Sequence, residues 1–297
     1  MCLFEKRTVE EIISICKLEP STKNIYVEGL SDKLVIDTFL KKQKINDISV
    51  FDIDCVDFSE IFAHMPSSEL NAPKDSNKEK VAFLALKVEE ELGKCHFLGI
   101  IDRDLDFVND HIKSGKYLSY TDYNSMEMYL FSRDYIAALL KNTFRITSDI
   151  DFGKFINSIG HVCRSLFYIR AYLESINGSM VDIKKDFLYD KKCNKCQFDL
   201  ESYIKKVVQV NKIDNSSDTL YEEIIEKVNA PIDDIRLEIK GHDYMKVLYL
   251  SVCKHKKVDM NEAEMANTFW VYLDDRALVK EPLFQRICNL TSVRENR

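Results

Sequence analysis

The chain has 297 residues, of which 45% are hydrophobic and 31% charged, and a formal net charge of −7. That length can bury a sizeable core and points to two domains rather than one, while the acidic balance argues against a protein that coats nucleic acid by bulk charge. No apolar run approaches the ~20 residues that cross a bilayer, no signal-peptide segment is evident, and nine scattered cysteines read as reduced thiols, so a cytoplasmic protein without a membrane segment is expected.

Residues 9–17 read as a short amphipathic helix and 24–27 as a short apolar strand. Ser31 and Asp32 read as the cap of a helix reaching about residue 42. Residues 48–55 (ISVFDIDC) form a second strand, and Pro66 to Pro73 mark a loop. Residues 78–92 (KEKVAFLALKVEEEL) form a strong helix ended by Gly93. A third strand, 95–101, is nearly continuous in apolar residues, as a strand covered on both faces should be. A fourth follows at 117–121, and the chain turns helical from Asn124 through Tyr129. This alternation predicts an α/β fold with a parallel-sheet core and helices on both faces. Beyond Phe131 the segments 134–140, 155–173, 200–210, 220–228, 242–254 and 262–272 all read as helices, with a polar loop at 211–218. The expected division is an α/β catalytic domain over residues 1–135 and a mainly helical substrate- or partner-binding domain over 136–297.

Two acidic signatures stand at strand ends. The first strand runs into Glu28-Gly29-Leu-Ser-Asp32, and the third into Asp102-Arg103-Asp104. In a parallel sheet the carboxyl ends of the strands lie along one edge, where ligands bind in open α/β sheets. Glu28 can therefore meet Asp102 and Asp104. In extended backbone Asp102 and Asp104 would share one side, with Arg103 on the other. Three carboxylates so gathered repel one another unless a cation lies between them. Hard oxygen donors suit Mg²⁺, or Mn²⁺ in its place, as one or two ions. Asp122, after the fourth strand, and Glu127 are further candidate ligands. Asp32 reads as a helix cap and Asp106 as a solvated loop acid. Gly29 leaves the backbone open to close approach.

Val27-Glu28-Gly29 with Asp32, followed by Ile101-Asp102-Arg103-Asp104, resembles the Toprim domain of type II topoisomerases, bacterial primases and overcoming-lysogenization-defect (OLD) nucleases. Thr121-Asp122-Tyr123 with Met126-Glu127-Met128-Tyr129 is similar to a narrower branch, the Toprim effectors of the PARIS anti-phage defence system. The likeness covers roughly the first 130 residues; beyond them it rests on length and on Lys240-Gly241-His242-Asp243. It implies a metal-dependent endonuclease, with Glu28, Asp102 and Asp104 both holding the metal and serving catalysis. It further implies an ABC-type ATPase partner that holds the effector inactive, release on infection, cleavage of tRNA, and a homodimer in the active state. An OLD-type DNA endonuclease and a non-catalytic Toprim interaction module are the alternatives. A phosphotransfer receiver domain is a weaker one, because its acidic pair stands at the first strand.

Other motifs carry less chemistry. Lys240 and His242 precede a helix and could stabilise charge at phosphorus or protonate a leaving oxygen, although a turn glycine before a capped helix explains the same residues. Cys193 and Cys196 form a single C-x-x-C, and zinc would need a second pair such as His161 and Cys163. Lysine pairs occur at 184–185, 191–192, 205–206 and 256–257. Most lysine pairs are solvated helix faces, and Lys191, Lys192 and Lys195 are the nucleic-acid-binding candidates. Trp270 reads as core. No P-loop is evident, so the chain itself is not expected to hydrolyse ATP.

Overall fold

The structure, a computed structural model, describes residues 6–64, 76–146, 150–190, 193, 195–214, 216–255 and 260–290. The regular elements in chain order are β1 (Arg7–Thr8), α1 (Val9–Leu18), β2 (Lys23–Val27), α2 (Leu30–Lys42), β3 (Ile48–Asp52), β4 (Val56–Asp57), α3 (Ser59–His64), α4 (Asn77–Glu91), β5 (His96–Ile101) and β6 (Leu118–Tyr120). They continue with α5 (Arg133–Ala138), α6 (Phe152–Ser175), β7 (Phe187–Asp190), β8 (Lys195–Phe198), α7 (Leu200–Asn211), α8 (Ser217–Asn229), α9 (Gly241–His255), α10 (Glu262–Phe269), α11 (Asp275–Leu278) and α12 (Pro282–Asn289). The fold is mixed α/β, with a parallel sheet and many helices. No described helix is long and apolar enough to cross a membrane.

The chain divides into two compact units, Met1–Asp122 with Asp274–Arg297, and Tyr123–Leu273. The division falls ahead of residue 135, and the last two helices return to the first unit instead of staying with the helical part. The physical reason lies in α12. Phe284 is fully buried and meets Phe39 of α2 edge-on at 4.8 Å. Burying one such ring contributes roughly 1.5–3 kcal/mol. The Arg286 guanidinium, on the same helix, donates to the Leu118 carbonyl at 3.1 Å and also reaches the Ser119 hydroxyl and the Lys116 carbonyl at the edge of the sheet.

The first unit is built on a four-stranded sheet in the order β3-β2-β5-β6, with every pair parallel. One face carries α1 and α4, whose Ile12, Val81, Leu84 and Val88 form a cluster with Tyr26, Phe97 and Ile101 of the strands. Gly99 permits the close packing of α4: a Cβ there would lie 3.0 Å from the Ala85 methyl and 3.1 Å from Val81. The strand expected over 48–55 stops at Asp52, turns through a 3-10 segment, Ile53–Cys55, and resumes as β4, which pairs with β1 in a second, two-stranded sheet. Helix α2 begins at Leu30 after an extended Gly29, so Ser31 and Asp32 lie in its first turn and not at its cap. There the Asp32 carboxylate still complements the helix dipole.

The second unit centres on α6, packed against α8, α9 and β8. It contains an antiparallel hairpin, β7–β8, which the helical reading missed. The segment after Asn124 is a 3-10 turn, Met126–Leu130, and not an α-helix. Trp270 is buried, as the sequence led one to expect.

Candidate metal centre

Strand order positions the first-unit acids. The chain moves from β2 outward to β3, then crosses back to β5 and β6, so the reversal falls between β2 and β5. Open parallel sheets bind ligands outside the carboxyl ends of the strands flanking such a reversal. Register pairs Val27 with Ile100, so Glu28 comes out beside Ile101, one residue ahead of Asp102. Glu28 Oε1 accepts the backbone N–H of Asp102 at 2.7 Å. All of Glu28, Asp102 and Asp104 are half-buried. A Cβ placed at Gly29 would meet nothing within 4 Å, so the backbone beside Glu28 is open.

Asp104 does not reach the site by strand alternation. The ladder ends at Ile101, and Asp104 takes a left-handed backbone with φ of 47°, a conformation that short polar residues tolerate best. The chain thus bends sharply after Arg103, whose guanidinium stacks 3.5 Å from the Phe107 ring centre.

Two residues absent from the sequence-level candidates tie these strand ends. Asn77 and Lys78 open α4. The Asn77 side-chain amide donates to the Glu28 carbonyl at 2.8 Å, and the Lys78 ammonium donates to the Arg103 carbonyl at 3.2 Å. One helix end therefore ties both acid-bearing strand ends. The Lys78 ammonium also lies 3.0 Å from Asp106 and 3.5 Å from Asp104, with its side chain only 11% exposed. A lysine in the first turn opposes the helix dipole; that mismatch was the signal the sequence offered. Asp106 is consequently no solvated loop acid. It pairs with Lys78 and accepts the Tyr120 hydroxyl at 3.0 Å. Burial raises the Tyr120 phenol to about 12, which keeps it a donor.

Among the described residues, no three His, Cys, Asp or Glu side chains stand together as a ready-made ion cage. The donor chemistry nonetheless fits a hard divalent cation. The Glu28 carboxylate meets the Asp102 backbone at the reversal point, and the Lys78 ammonium lies 3.5 Å from Asp104.

The remaining candidates have other surroundings. Asp122 turns both carboxylate oxygens to the Leu283 N–H, at 3.2 and 3.1 Å, at the start of α12. Glu127, Lys240 and His242 belong to the second unit. Glu127 packs on Gly241, with its carboxylate carbon 2.6 Å from where a Gly241 Cβ would sit, and so neighbours Lys240 in the chain; His242 is exposed. The Asp243 carboxylate is buried and takes a two-pronged hydrogen bond from Arg170, at 2.7 and 2.9 Å from one guanidinium nitrogen and 3.2 Å from another, so it serves packing.

Lys195 is exposed on β8, and Lys191 and Lys192 lie outside the described residues. Lys205 and Lys206 pair with Glu201 and Asp186. The C-x-x-C is split: Cys193 is exposed, whereas Cys196 is buried with its sulfur 3.2 Å from the Ser251 hydroxyl. Burial pushes the Cys196 thiol up, and the Cys163 thiol further, away from the thiolate form that zinc needs.

No known protein-family model matches the chain, and no curated protein matches it.

Proposed function

We propose that the chain is a divalent-metal-dependent endonuclease of Toprim type, the toxic effector of an anti-phage defence system, which cleaves tRNA once released from an ATPase partner. The observation that carries the nuclease reading is the 2.7 Å bond between the Glu28 carboxylate and the Asp102 N–H at the reversal point of a parallel sheet. The tRNA substrate, the ATPase partner and the defence role draw on the sequence likeness of residues 24–32, 101–104 and 121–129.

Glu28, Asp102 and Asp104 would hold Mg²⁺ or Mn²⁺. When bound, such an ion supplies positive charge against the charge that builds on phosphorus oxygens during in-line displacement. The protein's own contribution is placement. Asn77 and Lys78 fix the spacing of the two strand ends, and Glu28 offers a carboxylate that can take a proton from the attacking oxygen.

A second reading, a non-catalytic interaction module, draws on one observation: Lys78 already pairs with Asp106 and lies within ion-pair distance of Asp104. Incubating the purified chain with tRNA and with plasmid DNA, with Mg²⁺ or with a chelator, separates the readings. The nuclease reading expects Mg²⁺-dependent tRNA cleavage that drops by roughly 10²–10³-fold or more in Glu28→Ala. A module leaves both substrates intact and keeps its cellular toxicity in Glu28→Ala. Cleavage of plasmid alone would favour a DNA endonuclease.

A further inference from the structure

We propose that the first unit binds a nucleoside monophosphate in a cationic cavity at the amino ends of its strands, the opposite edge of the sheet from Glu28 and Asp102. The inference is independent of the metal-dependent reading above. The cavity has a volume of about 600 Å³ and lies where β5 and β6 begin, lined by Lys94, His96, Lys116 and Arg286 among others. Its charge is the first observation. The chain carries a net charge of −7, yet no Asp or Glu lines this cavity among the described residues. None of Lys94, Lys116 and Arg286 forms an ion pair with a described carboxylate. Glu89 accepts the Lys116 backbone N–H at 2.6 Å but neither pairs with the ammonium nor lines the cavity.

The second observation is that two of the cationic heads are held in place with donors to spare. A guanidinium has five N–H donors. Arg286 spends three, on the Leu118 and Lys116 carbonyls and the Ser119 hydroxyl, and two remain. Burial lowers the Arg286 pKa, with no carboxylate to offset the cost. The Lys116 ammonium gives two of its three protons to the Gly93 carbonyl at 2.8 Å and the Tyr117 hydroxyl at 3.0 Å. Donors fixed in advance lower the ordering cost of binding an anion. The third observation is size. Ligand cavities span about 300–1,000 Å³, and a bare phosphate would leave most of this one empty. Pro20, Leu98 and Leu290 complete the wall with apolar groups. A phosphomonoester carries a charge of about −1.5 to −2 on three acceptor oxygens, which suits several cations better than a single carboxylate does. The nucleoside then supplies a flat body for the apolar wall.

The test is calorimetric titration of the full chain, in the presence of a chelator, with AMP, GMP, CMP and UMP, their nucleosides and inorganic phosphate. At least one monophosphate is expected to bind, one per chain, and at least 10-fold more tightly than its nucleoside or inorganic phosphate. Lys94 is exposed and has no partner among the described residues, so Lys94→Glu should fold and weaken that binding at least 10-fold. Lys87→Glu, which makes the same change in net charge away from the cavity lining, should leave it unchanged. Binding of none of the four monophosphates, equal binding of inorganic phosphate or of the nucleoside, or equal weakening by both substitutions overturns the inference. If Lys94→Glu does not fold, the wild-type comparison and Lys94→Gln decide. Because the chelator removes divalent ions, every outcome leaves the metal-dependent reading to its own test.

Discussion

Replacing Gly241 with alanine should destabilise the second unit, and the size of the effect follows from geometry. Gly241 opens α9 and is buried; none of the described glycines has a positive φ, so close approach and not backbone freedom explains the residue. An added methyl would sit 2.6 Å from the Glu127 carboxylate carbon and nearer still to the carboxylate oxygen and the Ser125 hydroxyl. Carbon atoms pack at about 3.5–4.0 Å, so roughly 1 Å must be found. Ser125 is 3% exposed, with a short side chain that cannot retreat; Glu127 can rotate, at the cost of leaving the helix end. Overpacking of this kind costs about 1–3 kcal/mol, offset by up to ~1 kcal/mol of helix propensity gained over glycine. The net loss is about 1–2 kcal/mol. In a unit of 150–250 residues each kcal/mol moves Tm by about 2–4 °C, so a fall of roughly 2–8 °C is expected by calorimetry. In a Glu127→Ala background the same substitution should cost at least ~0.5 kcal/mol less, because the two residues touch. An unchanged or raised Tm, or strictly additive effects, would refute the packing argument.

Arg164→Met should lower stability by about 3–5 kcal/mol in urea unfolding. Its guanidinium, 7% exposed, donates to the Val228 and Ala230 carbonyls at 2.6 and 2.8 Å and pairs with Glu238, all of which would lose their partner; a loss under 1 kcal/mol contradicts this. Iodoacetamide at pH 8 should label Cys193 and spare Cys196 and Cys163 in the folded protein, since burial holds the latter two thiols protonated; equal labelling read by mass spectrometry would count against it. The hydrogen bond from Lys246 holds the Asp182 carboxyl below its ordinary 3.8. A depressed carboxyl stabilises above the unfolded value and loses that contribution as pH falls through the folded one. The Tm gap between wild type and Asp182→Asn should therefore be open at pH 7 and close below pH 3.8; a gap independent of pH refutes the pairing.

The sheet was legible because its strands are short apolar runs punctuated by helices, and Gly99 and the apolar face of α4 pack as that pattern demands. The positions of Glu28 and Asp102 at the strand ends were legible for the same reason: a residue that follows a parallel strand is placed by the ladder before it. The extended backbone expected to put Asp102 and Asp104 on one side does not hold, since the backbone of Asp104 turns left-handed beyond the reach of strand periodicity. Asn77 and Lys78 escaped notice because a helix start shows only caps and charges in sequence, and their partners lie 49 and 25 residues away, respectively. The β7–β8 hairpin was hidden because its strands are short and the sequence between them is polar, which gives weak alternation. The return of α12 to the first unit depends on Phe284 finding Phe39, a contact no local pattern announces.

The account stands on Glu28, Asp102 and Asp104 sharing a divalent ion. Crystals grown with Mn²⁺ and measured at the manganese absorption edge test this most directly. The account predicts an anomalous peak about 2.0–2.2 Å from carboxylate oxygens of Glu28 and of the Asp102–Asp104 pair, absent in Glu28→Gln crystals treated alike. Well-ordered acids with no peak between them at saturating Mn²⁺ would contradict it.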